Sequence, residues 1–145
     1  MEKIKFDSGV REYDLGTGGV LRFNPGDPNL YARFMDAAEK FRIIEQEMTE
    51  QAKQLPETEG SGIFSLLQET DKKLKEVLRW VFGWENDFDQ ILGGVNLLAV
   101  GANGRRVASN LLDALQPILL AGAKACAKEK AQEAVAKAQA RRKRV

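Results

Sequence analysis

The sequence predicts an α+β fold that is mostly α: a small N-terminal antiparallel β meander or hairpin, then a helical body and a long C-terminal helix. Short apolar–polar alternation is confined to about the first 23 residues, and helical spacing of apolar residues dominates after residue 28. Between them lies NPGDP, whose prolines and glycine interrupt regular structure. We expect one α+β domain over residues 1–122, with its β element at 3–23 and helices from 28. A basic, solvated helical tail should follow at 123–145.

Three short strands are predicted in the β element. Ile4 and Phe6 alternate with lysines, as in a half-buried strand. The dipeptide Ser8-Gly9 suits a tight turn, and the glycines of GTGG allow the positive φ that a hairpin requires. The two further strands are VREYDL and VLRF. An element this small needs a helix against its apolar face.

The first helix is predicted from Pro28 to about Gln54. Asp27 can cap its free N–H groups, and proline at the first helical position loses no hydrogen bond. An apolar stripe with seven-residue spacing comprises Phe34, Phe41 and Met48. Such a stripe packs against another helix, a second copy of the chain or a client protein, so it is also a possible homo-oligomer face.

The rest of the chain is predicted to be helical with short interruptions. A second helix should follow PETEGSG (56–62) and end at Gly83 in a left-handed cap. A short helical turn, FDQIL, should be capped by Asn86 or Asp87, and VNLLAV (95–100) is predicted to be helical. The last helix should start near Arg105 and be bent or restarted at Pro117.

Composition indicates an ordinary globular protein, with 43% hydrophobic and 30% charged residues among 145. The single cysteine, Cys126, excludes an internal disulfide, fits a reducing cytoplasm and is expected to be a small hydrophobe. The N-terminus lacks the apolar region of a signal peptide, and no apolar run reaches the ~20 residues that span a bilayer. We expect a soluble, cytoplasmic protein with no membrane partner.

Charge is distributed unevenly although the net charge is only +1. Residues 1–60 carry a net charge of −4, and residues 123–145 carry +6. The most basic stretch is Arg141, Arg142, Lys143 and Arg144. These four residues are candidates for contact with an acidic protein surface or with phosphates. Nucleic acid is the disfavoured partner, because no aromatic residues or recognition module accompany the basic run.

No catalytic or metal-binding pattern is present. Without histidine there is no Ser-His-Asp triad, and one cysteine excludes a zinc knuckle. The acids of WENDFDQILGGV suggest a calcium loop, but Gln90 stands where glycine is needed and Asn96 where glutamate is needed. GTGGVL and GANGRR fit neither glycine-rich phosphate-binding motif. We therefore expect no enzyme activity, no metal and no cofactor.

Three aromatic residues form a second candidate contact surface. Trp80, Trp84 and Phe88 recur at four-residue spacing around Gly83. Tryptophans near a helix end usually pack in the core, but tryptophan is also enriched at interface hot spots. This spacing predicts a patch that contacts a partner protein.

Three stretches of the sequence carry a family resemblance: FDSGVREYDLGTGGVLRFNPGDPNLYARFMDAAEKF, WVFGWENDFDQILGGVNLLAV and NLLDALQPILLAGA. Over residues 4–134 the chain resembles small proteins from the tail-gene region of long-tailed phages and prophages of Gram-positive bacteria. These are similar to phage tail assembly chaperones. The resemblance implies a small β element before a helical body, a tape measure protein and tail tube protein as partners, and location in the bacterial host cytoplasm. It implies no particular site residue.

Two other functions remain open. The protein could be a small nucleic-acid-binding or regulatory phage protein that acts through its basic tail. It could also inhibit a host defence enzyme, a function that sequence patterns rarely reveal.

Overall fold

The fold is α+β and mostly α, as predicted. The computed structural model describes residues 1–56 and 60–143, with Lys143 described by its backbone alone. Within these residues the elements are, in order, β1 (Arg11–Asp14), β2 (Val20–Phe23), α1 (Pro28–Lys53), α2 (Gly60–Phe82), α3 (Phe88–Ile91) and α4 (Val107–Lys143). The two strands form one antiparallel sheet, in which Arg11 lies opposite Phe23 and Asp14 opposite Val20.

The β element begins later than predicted. Residues 1–10 form no strand, and the side chains of Ile4 and Phe6 are 88% and 78% exposed. Residues 7–9 are held by local contacts: the Gly9 N–H donates to Asp7 at 2.8 Å and the Asn24 side chain donates to the Ser8 carbonyl at 3.0 Å. The predicted first strand is therefore wrong, and the sheet is a two-stranded hairpin.

The NPGDP joint starts α1 as predicted. Asp27 is the N-cap and accepts a hydrogen bond from the Asn29 N–H at 2.9 Å, with Pro28 at the first helical position. The Asn24 side chain accepts from the Gly26 N–H at 2.8 Å, which fixes the bend between sheet and helix. The chain thus passes from β2 to α1 within four residues.

The apolar stripe of α1 packs inside the same chain. Phe34 and Phe41 are buried in the core, and Met48 is half-buried against it. Most of this packing is against α2, including an edge-to-face contact of Phe34 with Phe82 at a centroid distance of 6.4 Å. Phe34 and Phe41 are already covered by α2. They are therefore not available for the homo-oligomer contact predicted through this face.

Helix α2 ends where the sequence predicts. Gly83 has a φ of +118°, and its N–H donates to the Arg79 carbonyl at 2.9 Å. The buried apolar residues of α2 are Leu66, Leu74, Leu78, Val81 and Phe82. Phe82 contacts Phe23 of the hairpin at a centroid distance of 5.0 Å, so the C-terminal end of α2 supports the small sheet.

The segment VNLLAV is not helical, contrary to the prediction. Leu97 and Leu98 are buried, yet residues 95–100 form turns that end in an isolated bridge from Val100 to Arg106. Side chains bind two N–H groups of this segment: the Leu97 N–H donates to Asp71 at 2.7 Å and the Leu98 N–H to Asn96 at 2.8 Å. This apolar segment is therefore a loop anchored by two buried leucines.

Helix α4 crosses the NPGDP joint. It continues through Pro117, and a side chain at Gly122 would overlap the Pro25 carbonyl, so the helix packs directly on that backbone. Beyond Cys126 its described side chains are exposed up to Arg142. In the part of the chain that the structure describes, no helix is both long and apolar enough to cross a membrane.

Candidate functional site

A shallow groove between α1 and α2 contains both tryptophans. Its volume is about 360 Å³. We call it the tryptophan groove, and its lining residues are Lys40, Ile44, Lys73, Glu76, Val77, Trp80 and Trp84. Ile44, Val77 and Trp80 are half-buried, whereas the charged side chains of Lys40, Lys73 and Glu76 are exposed. An apolar centre with a polar rim is the usual arrangement of a protein-binding surface.

Trp80 is held in place at the base of the groove. It lies in the last turn of α2, half-buried against the core. The Lys40 ammonium of α1 lies 4.7 Å from its ring centroid, within the range of a cation–π contact. This contact fixes the ring and keeps a positive charge beside it.

Trp84 is the exposed member of the pair, with 63% of its surface accessible. It follows Gly83, whose positive φ turns the chain out of α2. The Arg79 guanidinium donates from Nε to the Trp84 carbonyl at 2.5 Å and lies 5.6 Å from the indole centroid. Arg79 of α2 therefore holds the Trp84 backbone and lies beside the exposed ring.

Phe88 does not belong to this surface. It is 1% exposed and lies in the core, 5.7 Å from the Phe82 ring centroid. Residues four apart lie on the same helix face only as long as the helix continues. Because α2 ends before Gly83, this rule does not extend to Phe88. The predicted three-residue patch is therefore corrected to Trp80 and Trp84.

The basic tail lies on a different element from the groove. Arg141 and Arg142 are exposed in the last turns of α4. The side chain of Lys143 and all of Arg144 lie outside the described residues. Within the described residues, Arg141 and Arg142 have no ion-pair partner. This part of the tail is a charged, solvated helix end.

An ion cluster around Lys75 was missed from the sequence. Lys75 and Asp71 are buried, and the Asp89 side chain is 69% exposed. Lys75 on α2 donates to Asp71 at 2.8 Å and to Asp89 at 2.7 Å, and Asp71 also accepts from the Leu97 N–H. Burial lowers the pKa of Lys75, but its hydrogen bonds to Asp71 and Asp89 outweigh burial and raise the pKa overall. The signal was present as an i,i+4 pair of opposite charges within the buried face of α2.

This ion cluster connects three parts of the fold. It lines a cavity of about 590 Å³ together with Arg79, Asp87 and Asn96. Its carboxylates tie α2 to α3 and to the 95–100 loop. Among the described residues no buried side-chain nitrogen or oxygen lacks a hydrogen-bond partner. The paired groups have a structural role that accounts for their burial.

Asn86 has a structural role that the sequence did not predict. Predicted as one of two possible helix caps, it is buried, and Asp87 is the residue that caps α3. The Asn86 amide accepts from the Arg22 N–H at 3.0 Å and donates to the Arg22 carbonyl at 2.8 Å and the Phe82 carbonyl at 3.0 Å. It therefore attaches β2 to the end of α2.

The acids of WENDFDQILGGV have identifiable roles in the fold. Asp87 caps α3 and Asp89 pairs with Lys75. Within residues 1–56 and 60–143, no three Cys, Asp or Glu side chains cluster as metal ligands would. Comparison with protein-family models, with curated proteins and with solved structures finds no match to this chain.

Proposed function

We propose that this protein is a tail assembly chaperone of a long-tailed phage or prophage. It binds the tape measure protein, the tail tube protein or both in the bacterial host cytoplasm, and it catalyses no reaction. The family resemblance of residues 4–134 supports the proposal. The structural observation that carries it is Trp84, a fixed and largely exposed tryptophan beside an apolar groove.

The tryptophan groove suits a helical client. A helix presents large apolar side chains every three or four residues, and one such side chain can enter a groove of this size. Lys40 and Lys73 on the rim attract acidic residues beside the apolar stripe of the client. The groove therefore selects an amphipathic helix with apolar and acidic residues on one face.

Binding at this surface costs little ordering of the tryptophans. Arg79 already fixes the backbone at Trp84, and Lys40 already covers Trp80. A side chain that is fixed before binding loses less rotational freedom in the complex. This is the physical reason for assigning the client contact to this groove in preference to other exposed apolar residues.

Co-expression with the tape measure protein of the same phage or prophage tests the proposal. Wild-type protein should keep the client soluble and co-purify with it. Trp84→Ala should fold normally and bind the client ~30-fold more weakly, corresponding to a hot-spot loss of about 2 kcal/mol. Phe64→Ala is the matched control, because Phe64 is an equally exposed aromatic residue outside the groove.

Two outcomes would contradict the proposal. One is equal weakening by Trp84→Ala and Phe64→Ala, which would remove the groove as the site. The other is a wild-type protein that binds neither tail protein but shifts DNA or RNA at ~150 mM salt. That result would favour a nucleic-acid-binding protein acting through Arg141 and Arg142.

A further inference from the structure

The two edges of the hairpin differ in their hydrogen bonding. On β2, the Arg22 N–H and carbonyl are both bonded to the Asn86 side chain. An amide that accepts and donates in this way replaces a neighbouring strand, so Asn86 closes the β2 edge. β1 has no second neighbouring strand within the described residues. Its outer edge is the open edge of the sheet.

The strand register shows which backbone groups lie at this open edge. Opposite residues in an antiparallel pair either exchange both hydrogen bonds or point both sets of groups outward, in alternation. Glu12 lies opposite Arg22, whose groups point outward to Asn86. The N–H and carbonyl of Glu12 therefore point outward on the β1 side, and those of Asp14, two residues on, do the same.

Residues 3–6 have the sequence pattern of the missing strand. Ile4 and Phe6 alternate with Lys3 and Lys5, and both apolar side chains are almost fully exposed. Residues 7–9 follow this segment and are held by Asn24, and residues 3–6 pair with no strand of their own chain. The fold thus contains an unpaired strand sequence and an unpaired strand edge.

Charge complementarity selects one register for pairing residues 3–6 with the open edge of β1. An antiparallel pairing with Lys5 opposite Glu12 puts Lys3 opposite Asp14. Both pairs join opposite charges on the solvent face, where Glu12 already binds Arg22 at 2.9 Å. Directly opposite charges on neighbouring strands are stabilising, whereas like charges oppose pairing.

The same register satisfies the apolar side chains. Ile4 comes beside Tyr13, which stacks on Phe23 at 4.8 Å, and Phe6 comes beside Arg11. A groove of about 780 Å³ opens on this side of β1, and Arg11, Tyr13 and Ile118 of α4 contribute to its lining. The groove offers space for the two apolar side chains that are exposed in the single chain.

We propose that two copies of this chain form a dimer by exchanging residues 3–6. The segment of each copy adds as a third strand to β1 of the other, in the register that pairs Lys5 with Glu12. The exchange is reciprocal, so it closes as a two-fold dimer in which both β1 edges are occupied. This surface is separate from the tryptophan groove, and the dimer does not depend on the proposed client.

Sedimentation of the purified full-length protein over a wide concentration range tests the dimer. The wild type should be dimeric, and Ile4→Asp/Phe6→Asp should be monomeric and still unfold cooperatively, because both side chains are exposed in the monomer. Its melting temperature should not depend on protein concentration, whereas that of the dimeric wild type should rise with concentration. Lys5→Pro should also give a monomer, since proline removes the N–H that faces Glu12. Glu2→Pro is the matched control and should stay dimeric, because the residue 2 N–H faces away from β1 in this register.

Amide hydrogen exchange locates the contact. Glu12 should exchange at least roughly tenfold more slowly in the wild type than in Ile4→Asp/Phe6→Asp, and Arg22 should not change, because Asn86 binds it in both. A wild type that is monomeric at all concentrations would overturn the proposal, even with Glu12 protected, since residues 3–6 would then pair within one chain. A dimer that persists in Ile4→Asp/Phe6→Asp would also overturn it.

Discussion

Lys75 shows how one buried charge can organise a small helical protein. Its ammonium is almost fully covered, and two carboxylates bind it from different elements. A buried ion pair is not necessarily a net gain in stability, because desolvation of both charges offsets their attraction. Removing one partner is nonetheless costly, since the buried charge that is left behind has lost its partner. Asp71 would be that charge here.

Replacing Lys75 by methionine should therefore lower the free energy of unfolding by about 3–5 kcal/mol, as when one partner of a buried pair is removed. Adding Asp71→Asn should recover most of the loss, because the asparagine oxygen can still accept from the Leu97 N–H. Urea unfolding at neutral pH measures both effects. Lys72→Met, an exposed lysine on the same helix, is the control and should cost less than ~0.5 kcal/mol.

The pH dependence gives a second measurement of the same interaction. Because the pKa of Lys75 is raised in the fold, the folded chain holds this proton more tightly than the unfolded chain. The stabilisation is fully present below the unfolded pKa of about 10.4 and is lost as the pH rises through the folded pKa. The difference between wild type and Lys75→Met should be constant from neutral pH to about 10 and then fall. A difference that stays constant as the pH rises above about 10 would contradict the assignment.

At the scale of elements, local signals predicted helix starts and stops well. Asp27, Pro28 and Gly83 act where the sequence places them, because caps and positive φ are set by adjacent residues. The errors, at residues 3–6 and 95–100, have long-range causes. The first segment pairs with no strand of its own chain, and in the second the Leu97 N–H donates to Asp71 of α2. Single-sequence periodicity contains neither contact.

The close packing of α4 on the NPGDP joint leads to an element-scale prediction. Gly122→Ala should lower stability by about 1–3 kcal/mol, because the new methyl group would overlap the Pro25 carbonyl and backbone atoms must move. Thermal unfolding measures the change. Gly60→Ala, at a helical position with open space, is the control and should be neutral or stabilising by up to ~1 kcal/mol. Equal melting temperatures for the two variants would show that α4 does not rest on the joint.

For the whole molecule, the sequence predicted the candidate site only in part. Trp80 and Trp84 were identified from tryptophan's frequency at interfaces, but the groove that joins them to Lys40 and Ile44 depends on how α1 packs on α2. Phe88 was assigned to the wrong environment, because the spacing rule was extended past the end of α2. The charged tail could be recognised from composition alone, because the clustering of its basic residues is a property of the sequence and not of the packing.

The last prediction concerns the separation of that tail from the folded body. Residues 139–142 are exposed, and the apolar face of α4 has given way to alanines before this point. Deleting residues 139–145 should change the free energy of unfolding by less than ~0.5 kcal/mol, as for surface changes generally. Because the proposed client contact lies at Trp84, the deletion should also leave client co-purification intact. Urea unfolding and co-expression of the truncated chain measure the two effects. Loss of cooperative unfolding would mean that the tail docks on the body, and loss of client alone would move the binding site from the groove to the basic residues.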